Sequence, residues 1–165
     1  MKTLTGFLIL FVALMILPVL GFAVGHENLN FNMDMKQWTQ ISSDRSADAG
    51  STAFVPVGQD EKDWKERLIY SSLPMKKIMT SEMLYEIFTA DFKEDPSKCS
   101  ILEKEEKAIL FQCVGAEVTE IRRVILGKDI IHTLRYTYRI LITDQRRSEM
   151  IEKLKSAKIS FQDSK

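Results

Sequence analysis

The two cysteines of the chain, Cys99 and Cys113, constrain its fold more than any other feature, because both fall in segments with strand periodicity. Ile109, Phe111 and Cys113 alternate with their neighbours, which is the period-2 pattern of a β-strand. Residues 99–103 supply an antiparallel partner, separated from the first strand by a charged loop. The sequence therefore predicts a β-hairpin that carries both cysteines.

The register of this hairpin predicts a disulfide. If Ile101 lies opposite Phe111 and Glu103 lies opposite Ile109, the two cysteines also face each other. Facing residues at a non-hydrogen-bonded antiparallel position have Cα atoms about 4.5 Å apart, within the disulfide range. Closing a loop of about 15 residues stabilises a fold by roughly 3 kcal/mol in the chain-entropy model. The alternative is two buried free thiols, since cysteine packs well as a small hydrophobe.

The N-terminus has the pattern of an export signal. One lysine precedes an uncharged, apolar run over residues 3–25, and Gly21-Phe-Ala23 is a small-x-small cleavage site. We predict a signal peptide over residues 1–23, with a second candidate cut after Gly25. The alternative is an uncleaved membrane anchor over residues 6–24, just long enough to span a bilayer. Both interpretations place the remainder outside the cytosol, as a periplasmic or secreted protein, where a disulfide persists.

Removing 23 of the 165 residues leaves about 142, a length that suits one domain. The removed segment carries one lysine and no acid, so 22 basic and 23 acidic side chains leave a net charge of −1. This balance favours neither nucleic acid nor, unless the N-terminal segment is uncleaved, a membrane as partner. We predict a flexible, Asn-rich lead-in over residues 24–36, a single domain over 37–161 and a polar tail over 162–165.

The remaining periodicities predict an α+β domain. Besides the hairpin, strands are predicted over residues 38–42, 52–57, 64–70, 117–126 and 130–142. One helix begins at residue 74 or 81 and ends before residue 96, and Asp144 caps a last helix whose Met150, Ile151 and Leu154 face inward. The order implies an antiparallel sheet of about six to seven strands with two main helices packed on it.

Two short motifs carry a family resemblance. Phe54-Val-Pro-x-Gly-Gln59, followed by Trp64-x-Glu66, resembles small exported bacterial proteins of unknown function. The element order, ending in a helix and Ala157-Lys-Ile-Ser160, is similar to the PsbP-like fold, an α/β/α sandwich. The resemblance implies a non-enzymatic accessory or binding module of a larger assembly, and it carries over no site residue.

An arginine-rich hairpin provides a candidate partner surface. If a three-residue turn pairs Leu126 with Ile130, the outward side of the two strands carries Arg123, Arg135 and Arg139. Guanidinium groups on one surface suit a carboxylate-bearing partner or an anionic ligand. The alternatives are a solvated sheet face with weak ion pairs, or a face covered by a helix.

No metal site and no cofactor are predicted, and copper is the metal for which the sequence offers candidate ligands. Cleavage after residue 23 or 25 leaves His26 at or near a free amine, a nitrogen set that suits Cu(II). Met75, Met79 and Met83 follow at intervals of four residues, and thioethers are soft ligands for Cu(I). A methionine stripe is more often core or a pliable contact surface. His132 lies among apolar residues, which favours a structural role.

The sequence contains neither a Gly-x-Ser-x-Gly elbow nor a glycine-rich phosphate loop. No acid and base pair together in a recognisable catalytic pattern, so we predict a protein that is not an enzyme. The leading hypothesis is an exported protein-binding or accessory module of an envelope or secretion assembly, whose partner is another envelope or secreted protein. The alternative is a periplasmic carrier of a small ligand or of copper.

Overall fold

The structure, a computed structural model, describes residues 22–24, 27–46, 49–75, 77–92, 98–139 and 141–161. In chain order its elements are β1 (Phe22–Val24), β2 (Glu27–Asn30), β3 (Trp38–Arg45), β4 (Gly50–Pro56), β5 (Glu66–Pro74), α1 (Ser81–Thr89), β6 (Cys99–Lys104), β7 (Ala108–Val114), β8 (Thr119–Leu126), β9 (Ile130–Tyr138), α2 (Asp144–Lys155) and β10 (Lys158–Phe161). Most of the predicted signal peptide and the predicted tail lie outside the described residues.

A seven-stranded antiparallel sheet forms the centre of the protein, in the strand order β3-β4-β5-β9-β8-β7-β6. Two consecutive meanders, β3 to β5 and β6 to β9, join where β5 pairs with β9. Helix α1 connects the two meanders, and α2 follows the second. This arrangement confirms the predicted antiparallel α+β class.

The two sheet faces bury separate cores, which we call the α1 face and the α2 face. On β9, the side chains of His132, Leu134 and Tyr136 belong to the α2 face, since successive residues of a strand point to opposite sides. The α2 face packs against Met150 and Leu154 of α2, as predicted for that helix. The α1 face packs against Leu84 of α1, through a smaller cluster that includes Ile109, Phe111, Val124 and Ile131.

The predicted flexible lead-in is wrong, because residues 24–36 contain a strand and part of the core. Strand β2 lies between β1 and β10 in a second sheet, and pairs antiparallel with β10 from the other end of the chain. Leu29, Phe31 and Met33 alternate along this segment and are buried in the α2-face core. Their period-2 pattern is hidden among asparagines, which are unfavourable in strands.

The first hairpin has the predicted disulfide. Cys99 and Cys113 face each other across β6 and β7 with Cα atoms 4.1 Å apart, and their sulfurs are bonded. Ile101 also faces Phe111 as predicted, but a bulge follows, so Glu103 pairs with Leu110 instead of Ile109. A bulge adds one residue to one strand and shifts every later pair.

The second hairpin differs from the predicted register by one residue. Leu126 pairs with Ile131, not with Ile130, because Gly127 N–H donates to Ile130 O at 2.8 Å and leaves two residues at the tip of the turn instead of three. Side chains alternate with a period of two, so a shift of one residue moves a whole strand's pattern to the other face. The shift reassigns one of the predicted arginines, as described below.

Both helices begin at a threonine cap. Met83 N–H donates to Thr80 Oγ1 at 3.3 Å, so α1 begins at Ser81, the second of the two predicted starts. Arg146 N–H donates to Thr143 Oγ1 at 3.1 Å, which makes Thr143 the cap of α2 and corrects the prediction of Asp144. None of the helices within the described residues is long and apolar enough to cross a membrane.

Candidate functional site

The three predicted arginines do not share a surface. Arg123 lies on the α2 face, where its side chain is 5% exposed, and its Nη2 is 2.8 Å from Glu105 Oε1. Arg135 and Arg139 belong to the α1 face, which Arg123 leaves because of the one-residue register shift. The predicted surface is therefore wrong for Arg123, which is a buried ion-pair partner.

Two other arginines join Arg135 and Arg139 on the α1 face. Arg122 of β8 lies directly opposite Arg135. Arg67 of β5 lies opposite Thr137 of β9, and therefore between Arg135 and Arg139. We call Arg67, Arg122, Arg135 and Arg139 the arginine cluster. Arg67 joins the cluster through pairing between β5 and β9, which are distant in sequence, and Arg122 joins it through the observed register of β8 against β9.

Trp64 is the platform of the cluster. The guanidinium carbon of Arg139 lies 4.0 Å from the centroid of the indole, and that of Arg67 lies 4.3 Å from it. Trp64 precedes β5, and its side chain is only 4% exposed. Each such cation–π contact contributes about 0.5–1 kcal/mol when it is exposed. Trp64 thus contacts two like-charged groups at once.

Glu120 offsets the positive charge of Arg122 and Arg135, on one side of the cluster. Its carboxylate lies 2.6 Å from Arg122 Nη2 and 3.6 Å from Arg135 Nη1. Arg122 is buried and also covers the Phe88 ring of α1 at 4.8 Å. Arg122 therefore connects α1 to the sheet, whereas Arg135, at 35% side-chain exposure, remains accessible to solvent.

Positive charge dominates the other side of the cluster. The pKa of Arg67 is lowered, first by burial and then by repulsion from Arg135 and Arg139, with Glu61 and Glu120 opposing the shift. Within the described part of the chain, no carboxylate lies within 4.0 Å of the Arg67 or Arg139 guanidinium. The buried Nε of Arg67 also lacks a hydrogen-bond acceptor among those residues. This pattern suits an added anion.

The opposite face holds a buried network around His132. Its Nε2 lies 3.4 Å from Glu27 Oε2, and its Nδ1 lies 3.1 Å from the Tyr70 hydroxyl. Because a carboxylate only accepts, Nε2 carries the proton and Nδ1 accepts from Tyr70. The other oxygen of Glu27 accepts from the backbone N–H groups of Lys128 and Asp129, at 2.6 and 3.2 Å. The network connects β2 to the turn between β8 and β9. His132 is therefore a buried, hydrogen-bonded residue, consistent with the structural role that its apolar neighbours in the sequence favour.

Mild acid is expected to weaken the fold through His132. Burial lowers its pKa below the usual 6.5, while Glu27 opposes the shift. The unfolded chain therefore takes up this proton first, so the free energy of unfolding falls as the pH is lowered through about 6.5 towards the folded pKa. Urea unfolding at pH 7.5 and 5.5 measures the loss, and His132→Gln should reduce it. Equal losses in both proteins would contradict this assignment, since His26 is present in each.

The predicted copper ligands do not form a site within the described residues. Met75 and Met79 precede α1, and only Met83 is part of it, so the three do not share a helix face. Met75 and Met79 pack against the α1-face core, where they line a cavity of about 290 Å³. His26 lies outside the described residues. The described residues contain no group of three or more His, Cys, Asp or Glu side chains that would hold a metal ion.

Neither the protein-family models nor the curated proteins include a significant match to this chain. The function has to be inferred from the arginine cluster and its surroundings.

Proposed function

We propose that this chain is an exported, non-enzymatic protein-binding module, an accessory subunit of an envelope or secretion assembly, and that it docks through the α1 face. The arginine cluster carries this proposal. Arg135 and Arg139 present their charge to solvent at the end of a rigid sheet, beside the nearly buried Trp64. Arginine and tryptophan are enriched at the centres of protein interfaces.

The compartment and the family form part of the proposal. The Cys99–Cys113 disulfide supports an oxidising location, as does the apolar N-terminal run. The placement of an antiparallel sheet between α1 and α2 supports a PsbP-like sandwich, a fold that belongs to accessory and binding modules.

The arginine cluster lines neither of two cavities that described residues form, which favours a macromolecular partner for it over an enclosed small ligand. The cavity at Met75 and Met79 measures about 290 Å³, and a second, lined by Asp44, Ser51 and Ser71, measures about 230 Å³. Pockets for drug-sized ligands typically span about 300–1,000 Å³. Neither cavity is lined by a member of the arginine cluster.

Affinity capture from the native envelope fraction tests the proposal. We expect the wild-type chain to retain a partner protein, and Arg135→Ala/Arg139→Ala to recover at least about tenfold less of it, because each charge-assisted contact contributes about 1.5 kcal/mol. The matched control is Lys36→Ala/Arg45→Ala, which removes two exposed positive charges elsewhere. Thermal melting should be similar for all three proteins. Full recovery by the cluster variant would refute docking through this face.

A further inference from the structure

We infer that the arginine cluster binds the side-chain carboxylates of an extended acidic peptide segment. Arg67 and Arg139, which both contact Trp64, form the centre of this binding site, and we call these three residues the seat. This inference rests on the proposed protein-binding function and names the chemistry of the partner. It requires guanidinium groups that are held in place, an excess of positive charge, and a spacing that fits a peptide.

Cation–π contact with Trp64 holds the two central guanidinium groups in place. Arg67 and Arg139 both lie within 4.3 Å of the Trp64 ring centroid. A guanidinium that stacks on an aromatic ring keeps its N–H donors in its own plane, where they match the two oxygens of a carboxylate. Because Trp64 is nearly buried, its position is set by the fold. A carboxylate would therefore meet donors that lose little conformational entropy on binding.

The charge around the seat is not balanced. Within the described residues, no carboxylate forms an ion pair with Arg67 or Arg139, and Glu61 acts on Arg67 only from beyond 4.0 Å. The carboxylate of Glu120 already forms ion pairs with Arg122 and Arg135. The buried Nε of Arg67 lacks an acceptor among the described residues. An incoming carboxylate supplies the missing negative charge beside the exposed Arg139 and the half-buried Arg67.

The spacing of the arginines fits alternate residues of an extended chain. Arg135 and Arg139 are four residues apart along β9 and its end, about 13 Å at about 3.3 Å per residue. Arg67 lies opposite Thr137, halfway between them on the neighbouring strand. Carboxylates at every second position of an extended peptide recur about every 6.6 Å, on one side of the chain. Three such carboxylates would match Arg135, Arg67 and Arg139 in order.

The surroundings favour an acidic peptide over a nucleic acid. The whole chain has a formal net charge of zero, so it lacks the broad positive field that draws polyphosphates. Asp60, Glu61 and Asp63 are exposed in the loop that leads to Trp64. Glu61 acts electrostatically on Arg67 and so limits the positive potential on this side of the arginine cluster. A peptide with a few placed carboxylates suits this patch.

Calorimetric titration with synthetic peptides tests the inference on the purified, disulfide-bonded chain. The probe is a hexapeptide of alternating serine and glutamate, and its control has glutamine at each glutamate position. We expect the glutamate peptide to bind, the glutamine peptide to bind at least tenfold more weakly, and Arg139→Ala to weaken the glutamate peptide at least tenfold. Arg139→Lys should bind the glutamate peptide more tightly than Arg139→Ala but more weakly than the wild type. Lysine keeps the positive charge but lacks the planar guanidinium that donates two parallel hydrogen bonds to a carboxylate. Arg45→Ala, the control, should bind as the wild type does.

Three outcomes would overturn the inference: equal binding of the two peptides, equal binding by Arg139→Ala and wild type, or binding of inorganic phosphate as tight as that of the glutamate peptide. The test separates this inference from the function on which it rests. If a partner is captured through Arg135 and Arg139 but the glutamate peptide does not bind, only the acidic-segment inference fails. If the glutamate peptide binds but no partner is captured, the carboxylate-binding site is supported and the proposed protein-binding function is contradicted.

Discussion

Replacing Gly127 with alanine is expected to lower the free energy of unfolding by about 3 kcal/mol, combining overpacking with the loss of buried hydrogen bonds. A Cβ atom at this position would lie 1.7 Å from Glu27 Oε2 and 2.8 Å from Ile130 O. The backbone of Gly127 does not have a positive φ, so the cost is steric. The clash displaces the carboxylate from the Lys128 and Asp129 N–H groups and from His132.

Urea unfolding of Gly127→Ala beside Gly50→Ala measures this effect. Gly50 is also at the end of a sheet hairpin, but a Cβ there would meet its nearest neighbour, Asp44 O, at 3.4 Å, an ordinary contact. We expect Gly50→Ala to change the stability by less than about 0.5 kcal/mol. If Gly127→Ala were as stable as Gly50→Ala, the described position of the Glu27 carboxylate would be wrong.

Removing the disulfide is expected to lower the free energy of unfolding by roughly 3 kcal/mol, the chain-entropy value for its short loop. Cys99 and Cys113 are 14 residues apart, and β6 is an edge strand held to the sheet through β7 alone. Alanine suits both positions, because Cys113 is fully buried and serine would bury a hydroxyl there. The double variant Cys99→Ala/Cys113→Ala should therefore unfold at a lower urea concentration.

A reductant provides the internal check on this experiment. Dithiothreitol should bring the wild type close to the double variant and leave the double variant unchanged. Ser100→Ala, exposed in the same strand, serves as the matched control and should keep both the disulfide and the stability. A double variant as stable as the wild type would show that the bond adds nothing to the fold.

Local periodicity was sufficient to predict much of the main sheet. The alternation around Phe111 predicted both the hairpin and the disulfide, because a period-2 pattern and a facing cysteine pair depend only on neighbouring residues. The second sheet was missed. Its strands β2 and β10 have four residues each, and Asn30 pairs with Lys158 from the far end of the chain. Such short strands form through tertiary pairing, which local propensity does not report.

The candidate site was predicted in part. Arg135 and Arg139 were placed together because they lie at an even spacing on the strand predicted over residues 130–142, although β9 ends at Tyr138. Arg123 was misplaced by a single residue in the turn, which was enough to exchange the sheet faces. Arg67 was missed, since its place in the arginine cluster comes from pairing between β5 and β9, about 70 residues apart in sequence. Export and partner binding stay predictions.

The pairing of β2 with β10 has a consequence for the order of events during synthesis. Residues 27–30 are made before the seven-stranded sheet, but their partners at 158–161 follow that sheet in the sequence. The small sheet therefore cannot close until the residues of the larger sheet have been made, and until then β2 can pair only with β1. For a chain that is exported as proposed, the segment that follows the signal sequence completes its sheet only after β10 has also been translocated. Closure of the sheet then belongs to the far side of the membrane, together with formation of the disulfide.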